Sequence, residues 1–191
     1  MDESTDITID QNDGHAQYFS VSTAKLRNLY LLTFGFYAIY WFYKNWKLQQ
    51  PYIKERIMPI PRAIFAIFFT HSLATRVKNS MQYKSLPDTN NLKHFATVFV
   101  VLTIAVNIVS RLTDSGTLPS YFNYLWLILF YLSALPLIEI QDKVNILMND
   151  PLGSINSNYN WKNIAFMLVG AALWLMIILG ILIITFDVPH S

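Results

Sequence analysis

The sequence predicts an all-α, polytopic helical membrane protein, and its charge distribution supports this fold class. Only 14% of the 191 residues are charged, whereas a soluble domain carries about 25%. Residues 164–186 are 23 consecutive residues without a charge. At 1.5 Å of rise per residue they would extend about 34 Å, enough to cross a hydrocarbon core of about 30 Å. Residues 95–110 and 115–138 are also uncharged.

Five apolar segments divide the predicted membrane domain, which covers residues 19–191. The segments are about 26–43, 63–77, 95–111, 121–140 and 163–186. The last three have the length of ordinary transmembrane helices. The first two are shorter, and stretches of their length are as often re-entrant or interfacial as spanning. Three transmembrane helices are therefore predicted, with two further segments that are spanning, re-entrant or interfacial.

Local helix signals favour longer helices for these first two segments. Ser22 or Thr23 suits the N-cap of a helix that would run to Gln50, and Pro61 suits the first turn of another. Gly35 is either a close-packing point or the bend of a re-entrant helix. Helices of 25 residues would cross a membrane, so these signals leave the number of spans open.

Residues 1–18 are predicted to be a disordered acidic tail, because the first 24 residues hold five acidic residues and no Lys or Arg. The tail also lacks the basic region with which a secretory signal peptide begins. Cysteine is absent, so disulfides, thiolate metal sites and cysteine nucleophiles are excluded.

The basic residues favour placing the loops 44–62 and 76–93 on one side of the membrane. Lys and Arg in short loops collect on the cytoplasmic side. If all five segments span, the two sides hold 8 and 6 basic residues. If neither of the first two segments crosses, the division is 13 against 1, and if only the second fails to cross it is 11 against 3.

The stretch "TFGFYAIYWFYKNWK", residues 33–47, is typical of an aromatic belt with lysines reaching the headgroup level. A sharper interpretation is a basic, aromatic face that contacts an anionic lipid headgroup or a partner protein. The residues predicted to make lipid or partner contacts are Tyr40, Trp41, Tyr43, Lys44, Trp46, Lys47, Arg76, Lys78 and Lys84.

Two apolar stripes continue beyond the predicted membrane segments. One follows Pro136, and the other follows the second segment; their members are Ile140, Val144, Leu147 and Met148, and Leu73, Val77 and Met81. Their helical spacing predicts amphipathic helices that leave the membrane and lie along its surface.

Two polar residues within apolar segments, His71 and Asn107, are candidates for a polar path. Ionisable groups at membrane depth are functional candidates, and an intramembrane asparagine often forms hydrogen bonds between helices. No H-E-x-x-H, G-x-S-x-G, Walker or G-x-G-x-x-G motif occurs, and no metal ligands or catalytic residues are predicted. No soluble basic domain large enough to bind nucleic acid is present.

Residues 19–47 resemble a family of uncharacterised bacterial multi-pass membrane proteins with the signature T-(F/L)-G-x-Y-x-x-Y-W-F-Y-K-x-W. The matching positions are Thr33, Gly35, Tyr37, Tyr40, Trp41, Phe42, Tyr43, Lys44 and Trp46. The similarity continues through 61–69 and more faintly through 135–151 and 161–180. The resemblance implies a bacterial inner-membrane location and carries no activity with it.

The expected function is therefore that of a non-enzymatic membrane protein without a cofactor, which presents a basic, aromatic face to anionic lipid headgroups or a membrane protein partner. A second copy of the chain is one candidate for this partner. The alternative is a small transporter or channel with a polar path near His71 and Asn107.

Overall fold

The computed structural model describes residues 16–87 and 89–186, with side chains to residue 183, and all its regular secondary structure is helical. The predicted all-α fold class is confirmed. The helices are α1 (Thr23–Leu32), α2 (Phe36–Gln49), α3 (Pro59–Ile64), α4 (Ala66–Tyr83), α5 (Leu92–Asp114), α6 (Phe122–Leu147) and α7 (Trp161–Phe186). Two short 3-10 turns, Gln50–Tyr52 and Ser154–Asn156, follow α2 and precede α7.

Three of these helices, α5, α6 and α7, are long and apolar enough to cross a membrane. Their most apolar stretches have mean hydropathies of 2.0, 1.6 and 2.8. Helix α5 has 23 residues and α6 has 26, so each extends about 34 Å or more. Pro136 lies inside α6 and does not end it.

The first predicted segment is not one helix, because α1 and α2 form a hairpin that turns at Thr33–Gly35. Of the two predicted N-cap candidates, Ser22 caps α1 by accepting a hydrogen bond from the backbone N–H of Lys25. At the other end the N–H of Gly35 donates to the Tyr30 carbonyl at 2.8 Å, which is the long bond of a Schellman motif. Phe34 and Gly35 both have positive φ, 53° and 82°. Gly35 is therefore at the bend of a hairpin.

Helices α3 and α4 form a second hairpin, which turns at Phe65. Helix α3 begins at two closely spaced prolines, Pro59 and Pro61, and has only six residues. Helix α4 then runs in the opposite sense and ends at Tyr83, where Leu86 N–H closes the last turn on the Met81 carbonyl. The expectation of one long helix beyond Pro61 is wrong, because the chain leaves helical geometry at Phe65 (ψ 40°).

Both hairpins enter and return at the same end of the structure. Gly35 at one tip, and Ile64 and Ala66 on either side of the other, line a cleft together with residues near the middle of α5 and α6. The latter include Thr103 of α5 and Phe130 of α6. At the other extreme, the end of α4 meets the end of α6, where Lys84 Nζ donates to the Leu147 carbonyl at 3.1 Å. We call this side the basic end, and the side that holds the α5–α6 loop the opposite end.

The two apolar stripes pack inside this half of the molecule and do not lie along a surface. Ile140, Val144 and Leu147 of α6 are buried, as are Leu73, Val77 and Met81 of α4. They join one core with the hairpins and residues 16–22. The prediction of surface helices is wrong, because the hairpins and residues 16–22 pack over both stripes.

Candidate functional site

Residues 16–22, which we call the N-terminal segment, run in extended form across α2 and α6 and are held by buried amide side chains. Asn145 Nδ2 donates to the Val21 carbonyl at 3.0 Å, and its Oδ1 accepts from the Val21 N–H at 3.3 Å. Gln141 Nε2 donates to the Phe19 carbonyl, and Asn45 Oδ1 accepts from the Phe19 N–H, both at 3.1 Å. All three amides are fully buried. Both backbone polar groups of Phe19 and of Val21 are thus paired, as they would be in a sheet.

The same segment also ties α2 to α4. Gln49 Nε2 donates to the Gln17 carbonyl at 2.8 Å, and its Oε1 accepts from Arg76 Nε at 2.8 Å. The Tyr18 hydroxyl lies 2.9 Å from the Ser80 hydroxyl. Ala16 and Tyr18 are buried, so residues 16–18 are packed and do not belong to a disordered tail as predicted. Residues 1–15 lie outside the described part.

The loop between α6 and α7 covers the N-terminal segment from the other side. Asp150 accepts hydrogen bonds from the Ser20 hydroxyl at 2.7 Å and from the N–H groups of Ser154 and Ile155. The Ser20 hydrogen bond, with the two backbone donors, holds the pKa of Asp150 below its usual value despite partial burial. Lys25 Nζ donates to Asn156 Oδ1 at 2.7 Å and thereby attaches α1 to this loop.

A cleft of about 420 Å³ lies where the hairpin tips meet α5 and α6. Its walls are mainly apolar and aromatic. The polar groups on the α5 wall form one row, Thr103, Asn107 and Ser110, at the i, i+4, i+7 spacing of a single helical face. The Asn107 amide donates to the Thr103 carbonyl at 2.8 Å, so the row is partly satisfied within its own helix.

An apolar groove between α2 and α3 leads from the surface towards this cleft. We call it the α2–α3 groove; it is lined by Phe36, Ile39, Tyr40, Tyr43, Ile60, Ala63 and Ile64. Lys47 follows Tyr43 by four residues on α2, and its Nζ lies 5.7 Å from the centre of the Tyr43 ring. The Lys47 ammonium thus lies beside the end of the groove that is nearer the basic end of the molecule.

The aromatic residues predicted to contact lipid divide into two sets. Tyr40 is 47% exposed and Tyr43 half-buried, and both line the α2–α3 groove. Trp41 and Trp46 are 0% exposed, so the aromatic-belt interpretation does not hold for them. The Trp41 indole N–H donates to Gln141 Oε1, and the Trp46 ring lies under the Arg62 guanidinium at 4.6 Å.

The basic residues predicted to contact lipid or a partner all lie at the basic end, and they differ in their hydrogen bonds and in their exposure. Arg76 and Lys84 bond to Gln49 and to the Leu147 carbonyl, so both serve the fold. Lys44 Nζ lies 5.4 Å from the centre of the Phe19 ring. Lys47 is exposed and Lys78 half-buried. The residues are arranged around the hairpins and do not form one pocket.

The two candidates for a polar path are not brought together. His71 is exposed on α4, and its Nε2 lies 3.0 Å from the Thr97 hydroxyl of α5. Asn107 lines the cleft, ten residues further along α5, whereas neither His71 nor Thr97 does.

Sequence reasoning missed the amides that hold the N-terminal segment. Their signal was present, because Asn45 and Gln49 on α2, and Gln141 and Asn145 on α6, are spaced i, i+4 within otherwise apolar helical faces. Uncharged amides on such faces indicate buried hydrogen bonds to backbone.

The chain matches no family model, no curated protein and no solved structure. Within residues 16–87 and 89–186, no three metal-ligating side chains lie together.

Proposed function

We propose that this chain is a non-enzymatic, multi-pass protein of the bacterial inner membrane whose basic end faces the cytoplasm and binds anionic lipid headgroups. The observation that carries the proposal is the charge asymmetry. Of the 14 Lys and Arg residues, Arg111 alone lies towards the opposite end. The others lie on the hairpins, their connections, and the adjoining ends of α5, α6 and α7.

This asymmetry has two physical consequences. Short basic loops are retained in the cytoplasm during insertion, which favours a cytoplasmic basic end. The cytoplasmic leaflet carries anionic lipid, and each Lys or Arg near its surface contributes about 1 kcal/mol of attraction. The resemblance of residues 19–47 to bacterial membrane proteins agrees with this location.

The test compares protein reconstituted in nanodiscs of phosphatidylcholine with protein in nanodiscs that contain phosphatidylglycerol. We expect a higher Tm with the anionic lipid and a loss of that difference in a triple variant, Lys44→Gln, Lys78→Gln and Lys93→Gln. Lys93 is exposed in the first turn of α5, at the basic end. The matched control changes the same positions to Arg and retains the charge. If the Gln variant keeps the full lipid dependence, the proposal is wrong, and a protein partner becomes the better explanation of the basic end.

Transport is a second candidate, supported by the row of Thr103, Asn107 and Ser110 along the cleft. A transporter of polar solutes would expose this row to water in one of its states. Flux assays in proteoliposomes with Asn107→Leu test it, since the variant should lose any flux that the unaltered chain shows. Absence of flux from the unaltered chain under imposed ion and solute gradients would remove the candidate.

A further inference from the structure

The α2–α3 groove and the cleft form one continuous apolar path. Phe36, Ile39, Ala63 and Ile64 line both of them. The path therefore starts beside Tyr43 near the basic end and continues past the hairpin tips into the interior of the molecule. The groove is lined by five apolar residues and two tyrosines.

The length of this path matches one leaflet of a bilayer. Eleven residues separate Phe36 from Lys47 on α2, which corresponds to a rise of about 16 Å. Half of a hydrocarbon core of about 30 Å is about 15 Å. A chain that enters beside Lys47 would therefore reach the middle of the bilayer where the groove opens into the cleft.

The chemistry changes along the path in the order in which it changes along a phospholipid. Phe36 and Ile64, 71% and 57% exposed, offer bare apolar surface at the deep end. Tyr40 and Tyr43 add hydroxyl groups towards the surface, where amphipathic rings favour the headgroup level. Lys47 shares the helical face of Phe36, Tyr40 and Tyr43 and supplies the positive charge.

We propose that the α2–α3 groove binds an anionic phospholipid, with one acyl chain between α2 and α3 and the headgroup phosphate at Lys47. The inference rests on the proposed function, because it assigns a defined site to the attraction between the basic end and anionic lipid. A single acyl chain suits the groove, since only one face of each of two helices borders it. The terminal part of the chain enters the cleft.

The experiment titrates detergent-solubilised full-length protein with phosphatidylglycerol or phosphatidylcholine and counts bound lipids by native mass spectrometry. Ile39→Trp fills the groove from a position that is 38% exposed, and Lys47→Gln removes the headgroup charge. Ile104→Trp is the matched bulk control, at an α5 position that is 42% exposed and outside both cavities. Lys162→Gln is the matched charge control, because Lys162 Nζ lies 5.6 Å from the ring centre of exposed Trp161 and neither residue lines the cleft or the α2–α3 groove.

We expect one saturable phosphatidylglycerol per chain and weaker retention of phosphatidylcholine. Lys47→Gln should lower the affinity for phosphatidylglycerol about fivefold. The affinity for phosphatidylcholine should fall less, because the choline ammonium offsets the charge of its phosphate. Ile39→Trp should abolish retention of both lipids, and the two controls should behave as the unaltered chain.

Equal phosphatidylglycerol binding by the unaltered chain, Ile39→Trp and Lys47→Gln would overturn the proposal. A dimer in place of a lipid complex would also overturn it, since a second copy would then occupy the groove. The triple variant that tests the proposed function retains Lys47 and Ile39. If lipid does not bind the groove, the Tm difference between the two kinds of nanodisc can still be observed. If the nanodiscs show no Tm difference, the groove can still bind lipid in detergent.

Discussion

The half of the molecule at the basic end and the half at the opposite end are built on different principles. At the basic end the two hairpins, the N-terminal segment and the end of α6 enclose a core of large side chains, among them Trp41, Trp46 and Met81. Towards the opposite end α5, α6 and α7 continue with little cover. In the most apolar stretches of these helices, 11%, 33% and 6% of the residues are buried.

This difference separates specific structure from general membrane compatibility. The basic end has buried polar groups that need defined partners, so a change there leaves a donor or acceptor unpaired. The opposite end relies on apolar surface that lipid covers equally well after many substitutions. Four pairs of variants can break or sharpen this comparison, each measured as Tm in the same detergent.

The largest effect is expected for Asn145→Leu at the basic end. The change removes the partners of both backbone groups of Val21, and a buried unpaired group costs about 1–3 kcal/mol. The free energy of unfolding should therefore fall by about 3 kcal/mol or more, which lowers the Tm. Asn107→Leu is the control near the middle of α5, because its amide is exposed and hydrogen-bonds within its own helix. Its free energy of unfolding should change by no more than about 0.5 kcal/mol. Equal losses would contradict the comparison.

The next effect is expected for Gly170→Ala in α7. A Cβ at this position would lie 1.7 Å from the Leu32 carbonyl oxygen, so α1 and α7 must move apart. This movement should lower the free energy of unfolding by about 1–3 kcal/mol or more. A Cβ at Gly180 meets nothing within 4 Å, so Gly180→Ala should be neutral or slightly stabilising. The fluorescence of Trp174, whose indole donates to the Leu31 carbonyl, should shift in the first variant only. An unchanged Tm for Gly170→Ala would show that the two backbones do not touch.

A smaller difference is expected between Trp41→Phe and Trp46→Phe, two changes of equal bulk at fully buried positions. The first removes the donor to buried Gln141 Oε1 and adds about 1–3 kcal/mol to the packing loss. Among the described residues Trp46 Nε1 is buried without an acceptor, so the second change loses packing and part of the contact with the Arg62 guanidinium but no hydrogen bond. A larger Tm decrease for Trp46→Phe would contradict the assigned hydrogen bonds.

The smallest effect is expected for Asp150→Asn, and it depends on pH. Hydrogen bonds from Ser20 and two backbone groups lower the pKa of Asp150 in the folded state, so its contribution to stability is present above the unfolded pKa of about 3.9. That contribution is lost as the pH falls through the folded pKa. The variant should melt slightly below the unaltered chain at pH 7 and should converge with it in acid. The control is Asp114→Asn at the opposite end, for which no comparable decrease at pH 7 is expected. A difference that grows in acid would show that the carboxylate is not the stabilising form.

The sequence predicts the three long helices well, because hydropathy and length are local properties. It does not predict the hairpin turns, since Phe34 adopts a positive φ that an aromatic residue rarely takes. The tip is held from outside the turn, by stacking of Phe34 on Trp174 at 4.8 Å and by the Tyr30 bond to Ser133 of α6. These contacts join residues about 100 or more positions apart.

The sequence predicts which residues belong to the basic, aromatic region, but it does not predict which of them are buried. Lys47, Tyr40 and Tyr43 follow from the basic, aromatic pattern of residues 33–47. Trp41 and Trp46 belong to the same pattern, yet the N-terminal segment and the second hairpin cover them. Which aromatic residues remain at the surface is decided by packing between segments, so no local pattern distinguishes Trp41 from Tyr40.

The most direct test of the central claim, that both hairpins enter and return on one side, uses the absence of native cysteine. Single cysteines at the exposed positions Gln50, Gln82 and Ser120 are labelled in intact and in permeabilised cells with a membrane-impermeant maleimide. We expect Gln50→Cys and Gln82→Cys to react only after permeabilisation and Ser120→Cys to react in intact cells. If Gln50→Cys and Gln82→Cys react on different sides, the second hairpin crosses the membrane and the claim is wrong.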